Sequence, residues 1–504
     1  MSSVLVSVFL REQKRYTQKE LSEKLHCPET HAVQIIRKLK EYGVLKAVSA
    51  SANAQQRDLS ELNEADVEVS DVETGENEYF YVFTFVGVIV IAGCVLKICP
   101  KYLLSNDAPA KELQQVIRVL EKYNSEEQIV RMVNTSSESS SFNLLAVMLF
   151  LLTDYYENGA YSSTEEIIVH NGTGEILWDK TINETFTLIS NNRPYYTDLI
   201  TRKRTDNEFD WIRQLHECIL TKVSEELRDT DLLDLFDLEE TALSDGDISD
   251  FGETDYILYR LEQELNTQFN TRKQTVLKTV YAYIAHNGSF YDTDCLSLFG
   301  TNSFNLVWEK VCSEILNNKL KEPVCSLGLS LNKYDKYDGK LIDLIEKPMW
   351  TETGHTAQDT LIPDLISVTR DYFIIFDAKY YNVVLEDGRP PRGQPGIESV
   401  IKQYLYQLAF QKFITDCRIS RVGNCFLLPT EEKEILKKGE VRLDMLAELG
   451  LQDIQVRFIP TSVAYDLYLS GKKMDIGKLD LWWEAYGETR KNHCKLSTTQ
   501  LKLC

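Results

Sequence analysis

The stretch Thr360-Leu-Ile-Pro-Asp364-Leu-Ile-Ser-Val-Thr-Arg-Asp-Tyr-Phe-Ile-Ile-Phe-Asp377-Ala-Lys379-Tyr-Tyr carries the residue types that hydrolysis of a phosphate ester needs. Asp364 and Asp377 offer hard oxygen donors of the kind that suit Mg2+, with Mn2+ able to substitute. Such a metal lowers the pKa of a bound water and neutralises charge developing on phosphate. Lys379 would orient or deprotonate the attacking water and face the scissile phosphate. An acidic residue two positions before a lysine arises easily by chance in a charged chain. Here the triplet ends an apolar run, and Pro363-Asp364 opens another one twelve intervening residues earlier. A surface ion pair at a strand end is the competing account.

For the three side chains to meet, the segment must fold as an antiparallel hairpin. Leu361–Val368 and Tyr372–Tyr380 are strand-like and flank a turn at Thr369–Asp371. Alternation puts Asp377 and Lys379 on one face and Ala378 on the other, with Asp364 across the hairpin. Two helices are expected to flank the site. Upstream, Phe304, Val307, Trp308, Val311 and Ile315 form an apolar stripe with Glu309 on its flank. Glu309 either adds a metal ligand, directly or through water, or is a solvated helix residue. Downstream, Ile397–Phe413 is expected to turn Val400, Ile401, Tyr404 and Leu408 inward. Gln403 and Gln407 share a flank at i, i+4. Their amides are candidates to steady the catalytic lysine or touch a DNA phosphate; ordinary polar flank residues are the alternative. The loop Val383–Pro395 leaves the reactive strand directly, and Arg389 and Arg392 in it are candidates for the sugar-phosphate backbone.

The rest of the chain divides by composition. Residues 1–48 read as a winged helix-turn-helix. Leu5, Val8 and Phe9 predict a first helix, Thr17-Gln-Lys-Glu20 is a capping box for a second, and Pro28 opens a third that stops at Gly43. On the third helix Ala32, Ile35, Ile36, Leu39 and Tyr42 share one face. Gln34, Arg37, Lys38 and Glu41 share the other, and the first three are candidates for a DNA major groove. A module that contacts only protein is the equal alternative. Residues 49–78 read as an acidic linker or wing loop. The uncharged run Tyr79–Leu96 has the length of a membrane span, but its Val, Ile, Tyr and Phe content and a turn at Ala92-Gly93 predict buried strands instead. Helices are expected at about 110–124, 142–157 and 206–223. Asn171-Gly-Thr-Gly174 is expected to turn a hairpin between Glu166–His170 and Glu175–Trp178, since no GxxxxGK[ST] phosphate loop exists in the chain. Arg202-Lys203-Arg204 is another local basic cluster, and a solvated turn is its alternative.

The 504 residues exceed one ordinary domain, and 43% hydrophobic with 26% charged residues is the composition of a soluble globular chain. The net charge of −22 is local in origin. Residues 49–78 contribute −8 and residues 224–255 contribute −12, leaving −2 on the remainder, so a local DNA-facing surface is not excluded. Eleven cysteines without a CxxC pair read as free thiols of a reducing cytosol, and no basic-then-apolar leader opens the chain. These features predict a cytoplasmic protein without a membrane segment.

Asp364, Asp377-Ala-Lys379-Tyr, Pro395-Gly396 and Lys402-Gln403-x-x-Tyr406-Gln407 together resemble the LlaJI family of restriction endonuclease subunits, itself similar to the McrC nuclease subunit of McrBC-type systems. Val307-Trp308-Glu309-Lys310, Gly174–Thr181, Phe85-Val86-Gly87, Pro100-Lys101-Tyr102, Gly423–Pro429 and Tyr468–Gly471 resemble further blocks of that family, so the likeness spans roughly residues 79–475. It implies an α+β/α/β multidomain fold with a middle α+β region (79–223) that docks a motor and a C-terminal PD-(D/E)xK restriction-endonuclease-like domain (261–485); the winged helix (1–48), the acidic linker (49–78), an acidic connector (224–260) and a polar tail (486–504) are read from the residues and lie outside the matching blocks. It implies a nuclease subunit of an NTP-dependent, phage-defence restriction complex, cutting DNA with a metal held by Asp364, Asp377 and Glu309. The implied partners are DNA, an AAA+ NTPase motor like McrB and DNA methyltransferases of the same system, with a homo-oligomer left open. No nucleotide is bound by this chain alone. A DNA-binding regulator or structural subunit with a non-catalytic nuclease fold is the alternative.

Overall fold

The computed structural model describes residues 5–49, 79–127, 143–162, 164–206, 210–286, 290, 296–329, 334, 336–352, 354–385 and 388–481. The expected acidic linker and polar tail lie outside the described residues, apart from Ser49.

In chain order the first elements are β1 (Val6–Arg11), β2 (Arg15–Tyr16), α1 (Gln18–Lys24), α2 (Glu29–Glu41), β3 (Leu45–Ser49), β4 (Tyr79–Phe83), β5 (Val86–Ile91) and β6 (Cys94–Cys99). The expected first helix is a strand. In Val6–Arg11 burial alternates, with Val8 and Leu10 inward, so period 2 and β-branching overrule the i, i+3, i+4 match. The capping box on α1 is complete: Thr17 accepts from the Glu20 N–H and the Glu20 carboxylate accepts from the Thr17 N–H. Pro28 caps α2, whose buried face is Ala32, Ile35, Ile36 and Leu39, and Gly43 (φ +68°) stops it. Tyr42, expected on that face, is exposed because it lies past the last helical turn. The described elements of this module are thus two helices and the three-stranded antiparallel sheet β2-β4-β3. The uncharged run is strand apart from Thr84-Phe85 and a turn at Ala92-Gly93 with both φ positive. No helix among the described residues is long and apolar enough to cross a membrane.

Next come α3 (Ala110–Glu127), α4 (Leu144–Asn158), β7 (Thr164–His170), β8 (Glu175–Ile176), α5 (Trp178–Glu184), β9 (Thr187–Ser190), β10 (Arg193–Tyr196), β11 (Ile200–Asp206), α6 (Trp211–Asp229), α7 (Leu232–Leu235), α8 (Thr254–Thr267), α9 (Thr271–Ala285) and β12 (Leu296–Thr301). The expected hairpin across Asn171–Gly174 does not form, because β11 lies between β7 and β8. Asn171 holds that arrangement: its N–H donates to the Leu199 carbonyl and its Oδ1 accepts from the Leu199 N–H, both at 2.7 Å. Arg202–Arg204 lies within β11, not in a turn. The acidic 224–260 stretch is helical in large part, and Leu232, Leu233, Leu235 and Phe236 are buried. β1, β6, β5 and β12 form a four-stranded sheet in that order.

The last elements are α10 (Phe304–Ile315), β13 (Met349–Trp350), β14 (His355–Thr356), β15 (Leu365–Val368), β16 (Tyr372–Ala378), α11 (Ile397–Asp416), β17 (Arg421–Thr430), β18 (Leu436–Val441), β19 (Ile454–Pro460) and α12 (Thr461–Leu469). β15 to β19 form one mixed sheet in the order β15-β16-β17-β19-β18. β16, β17 and β19 run parallel, and β15 and β18 are antiparallel edges. Parallel strands require crossovers, and α11 and α12 flank β17 and β19 as a doubly covered sheet needs. The chain resolves into two compact units. One comprises 1–7, 89–95 and 136–299; the other comprises 8–88, 96–135 and 300–504 and holds the mixed sheet.

Candidate active site

β15 and β16 are buried along almost their whole length, which fixes their register firmly. Leu365 pairs with Phe376 and Val368 with Phe373, so one further step sets Asp364 opposite Asp377. On one face of β16, Phe373 packs on Phe410 and Phe413 of α11, with ring centroids 5.2 and 6.0 Å apart. Ile375 joins that apolar cluster, and Asp377 follows on the same face where the cluster ends. The expected apolar stripe of α10 (Phe304, Val307, Trp308, Val311, Ile315) is buried in full, and the Trp308 indole N–H donates to the Leu427 carbonyl at 3.3 Å.

At the strand end the carboxylates and the lysine converge. The Lys379 ammonium lies 3.1 Å from Asp377 Oδ1. That contact lacks hydrogen-bond alignment, and Oδ1 is a buried acceptor with no hydrogen-bond partner. Asp364 Oδ2 accepts the Ala378 N–H at 2.8 Å, so the backbone between Asp377 and Lys379 orients the opposite carboxylate. Burial pushes the Asp364 carboxyl far above the usual carboxylate range, and the charge of Asp377 beside it pushes the same way, followed by Glu309. Glu309 is likewise raised by burial and by Asp377, with Lys379 opposing. Two carboxylates that resist ionising together form a site short of positive charge, which a divalent cation supplies. Among the described residues no three His, Cys, Asp or Glu side chains are gathered as a metal cage. Asp364 and Asp377, with Glu309 beside them, are the residues that could hold a cation here.

The two glutamines sit elsewhere than expected. α11 turns Val400, Gln403, Tyr404, Tyr406, Gln407 and Phe410 inward, while Ile401 and Leu408 are exposed. The helix is rotated because its amides are needed inside. Gln403 Nε2 donates to the Ile375 carbonyl of β16 at 3.0 Å. Gln407 Oε1 accepts from Asn424 Nδ2 at 2.7 Å and from the Gln452 N–H at 2.9 Å. Both thus brace the sheet. Tyr406, between them, lies close enough to Asp377 and Asp364 that their charges add to burial in raising its hydroxyl to about 12, and that hydroxyl donates to the Ile362 carbonyl at 3.0 Å. Arg389 and Arg392 are exposed on the loop after Lys379, which is pinched by paired hydrogen bonds between Val384 and Arg392. On α2, Gln34 and Arg37 are exposed and Lys38 is half-buried, with Arg37 paired to Glu41 at 3.2 Å.

Asn318 escaped the sequence reading. Its Nδ2 donates to the Asp364 carbonyl at 3.2 Å, and its Oδ1 accepts from the Ile366 N–H at 3.0 Å and the Leu320 N–H at 2.9 Å. It ties the backbone at Asp364 and Ile366 from 46 positions away, and no local pattern marks such a partner.

A mixed α/β chain with facing aspartates and a lysine at the end of a buried strand is the class this geometry defines. Residues 85–464 match the LlaJI restriction endonuclease family, and the chain belongs to that family. It is 27% identical over 442 residues to the type II restriction enzyme BsuMI component YdjA of Bacillus subtilis (strain 168), covering 83% of this chain and 87% of that relative. Among solved structures it is similar to a half-complex from the tetradecameric assembly of Thermococcus gammatolerans McrB AAA+ hexamers with bound McrC. The TM-score is 0.37 and the identity 11%, over 97% of this chain and 100% of that one. A second likeness, to the Thermococcus gammatolerans McrBC complex, has a TM-score of 0.27 and 12% identity over 63% of this chain and 88% of that one.

Proposed function

We propose that the chain is the nuclease subunit of an NTP-dependent restriction complex and cleaves DNA by Mg2+-dependent phosphodiester hydrolysis at a PD-(D/E)xK-type site. The observation that carries this reading is the buried, hydrogen-bond-free Asp377 Oδ1, set opposite Asp364 and 3.1 Å from the Lys379 ammonium. Asp364 and Asp377 would hold the cation, with Glu309 within electrostatic reach as a helper. When bound, Mg2+ supplies a Lewis acid for the phosphate and acidifies water. The chain supplies the rest. Ala378 N–H fixes the Asp364 carboxylate, and Lys379, whose side chain is 21% exposed, stands at the solvent side to orient the attacking water and meet phosphate charge.

Arg389 and Arg392 would meet the DNA backbone beside the site, and Gln34, Arg37 and Lys38 would meet DNA from α2. An AAA+ partner would supply NTP hydrolysis, a reading supported by the family's likeness to McrC and by a sequence with no GxxxxGK[ST] loop. Methyltransferases of the same system would protect host sites. The test is cutting of plasmid DNA by the full chain with its partner ATPase, Mg2+ and NTP. Asp377→Ala and Lys379→Ala are expected to lower cutting by about 100-fold or more, with the melting temperature and assembly retained. Retained cutting overturns the site. Sequence-specific DNA binding with no metal-dependent cutting by the wild type selects the DNA-binding regulator instead.

A further inference from the structure

Glu12 lies between β1 and β2, where the chain enters the α1–α2 module, and it is 6% exposed. Its Oε2 accepts the Tyr380 hydroxyl and, at 3.2 Å, the Lys101 N–H. That N–H also lies 3.3 Å from the Tyr380 hydroxyl oxygen. The next residue, Gln13, takes a left-handed φ of +57° and is held by two bonds: its N–H to the Phe83 carbonyl at 2.9 Å, and its Oε1 from the Lys101 ammonium at 3.1 Å. The same ammonium sits 4.6 Å from the centre of the Tyr380 ring. Phe304 and Tyr102 pack on that ring at 5.2 and 6.2 Å between centroids, and the Tyr102 hydroxyl is paired with that of Tyr465 at 2.8 Å.

Tyr380 is therefore gripped at its hydroxyl and around its ring, and it is the residue directly after Lys379. Lys379 has left the regular strand and keeps one backbone tie to the sheet, its N–H to the Leu427 carbonyl at 2.9 Å. On the other side its path is set by Tyr380. A phenylalanine would fill the same space, whereas a buried carboxylate bonded to a phenol costs desolvation and gives direction in return.

We infer that Glu12 is a positioning residue for the site: acting through Tyr380, it sets the orientation of Lys379 and ties the N-terminal helical module to the strand that carries the lysine. This inference rests on the nuclease reading above. The experiment compares DNA cutting by the full chain with its partner ATPase for wild type, Glu12→Ala, Glu12→Gln, Tyr380→Phe, the Glu12→Ala/Tyr380→Phe double variant and Lys379→Ala, with melting curves to confirm folding. Glu12→Ala and Tyr380→Phe are each expected to lower kcat by about 10- to 100-fold. KM for DNA should stay within about twofold. The double variant should be no slower than the slower single, since both remove the same Glu12–Tyr380 hydrogen bond. Glu12→Gln keeps an acceptor and recovers most of the rate. Wild-type kcat in the folded single variants, losses that multiply in the double variant, or losses that fall on KM each overturn the coupling. Cutting that needs Lys379 but ignores Glu12 and Tyr380 leaves the nuclease reading standing and removes only the coupling. Absence of cutting by the wild type, or undiminished cutting by Lys379→Ala, removes both.

Discussion

Asn318 holds the backbone that carries Asp364 through bonds to the Asp364 carbonyl and the Ile366 N–H. Replacing it by Ala strands the N–H groups of Ile366 and Leu320, which its Oδ1 now accepts. Asn318→Ala is expected to cost about 1–3 kcal/mol, read from the urea midpoint, and to slow cutting by loosening Asp364. Gln407 makes the opposite case. Its spacing on the helix suggested chemistry, but its carbonyl satisfies Asn424 and Gln452. Gln407→Ala should lower stability by about 1–3 kcal/mol and leave kcat per folded molecule unchanged. A loss of kcat at intact stability would return Gln407 to the chemistry. At this scale the meeting of Asp364 with Asp377 was legible because each sits at the end of an apolar run and the two runs pair as one local hairpin. Glu12, Asn318 and Lys101 were not, because their partners are far away in sequence and local periodicity holds no trace of them.

At the scale of elements, the signals that survived were those with local causes. Thr17 and Glu20 cap α1 through bonds three residues apart, and Phe304–Ile315 buries its stripe as the 3.6-residue period dictates. The failures have tertiary causes. Val6–Arg11 matches a helical spacing but joins a sheet, and β11 enters between β7 and β8 from thirty residues downstream. α11 is rotated from its hydrophobic reading because two amides are required by the sheet beneath it, so Leu408 and Ile401 face outward. Close strand packing gives a further test. A Cβ on Gly300 would lie 2.1 Å from the Val86 carbonyl oxygen and 2.6 Å from the Phe85 ring, with φ at +154°. Gly300→Ala is therefore expected to destabilise by about 3 kcal/mol, seen as a lower denaturation midpoint with an unchanged m-value.

For the whole molecule, one buried titratable group gives stability a pH dependence. His216 is buried, its Nδ1 accepts the Tyr161 N–H at 3.0 Å, and its Nε2 has no hydrogen-bond partner. Burial lowers its pKa from the ordinary 6.5 to about 4, with Asp154 opposing and Arg272 reinforcing. The native state thus keeps His216 neutral while the unfolded chain takes up a proton below 6.5. Its contribution is full above pH 6.5 and is lost as pH falls towards 4, by about 2 kcal/mol at pH 5. Urea midpoints at pH 7.5 and 5.0 should show that drop in the wild type, and His216→Gln should remove this part of it.

The order of strands in the mixed sheet has a consequence for how the enzyme is made. β17 lies between β16, which leads to Lys379, and β19, which begins only at Ile454. A ribosome that stops before that point releases a polypeptide whose β17 keeps β16 on one edge and has its other edge, the one β19 covers, unpaired. Late nonsense alleles should therefore yield degraded chains and not truncated folded ones, seen as loss of the protein on a blot.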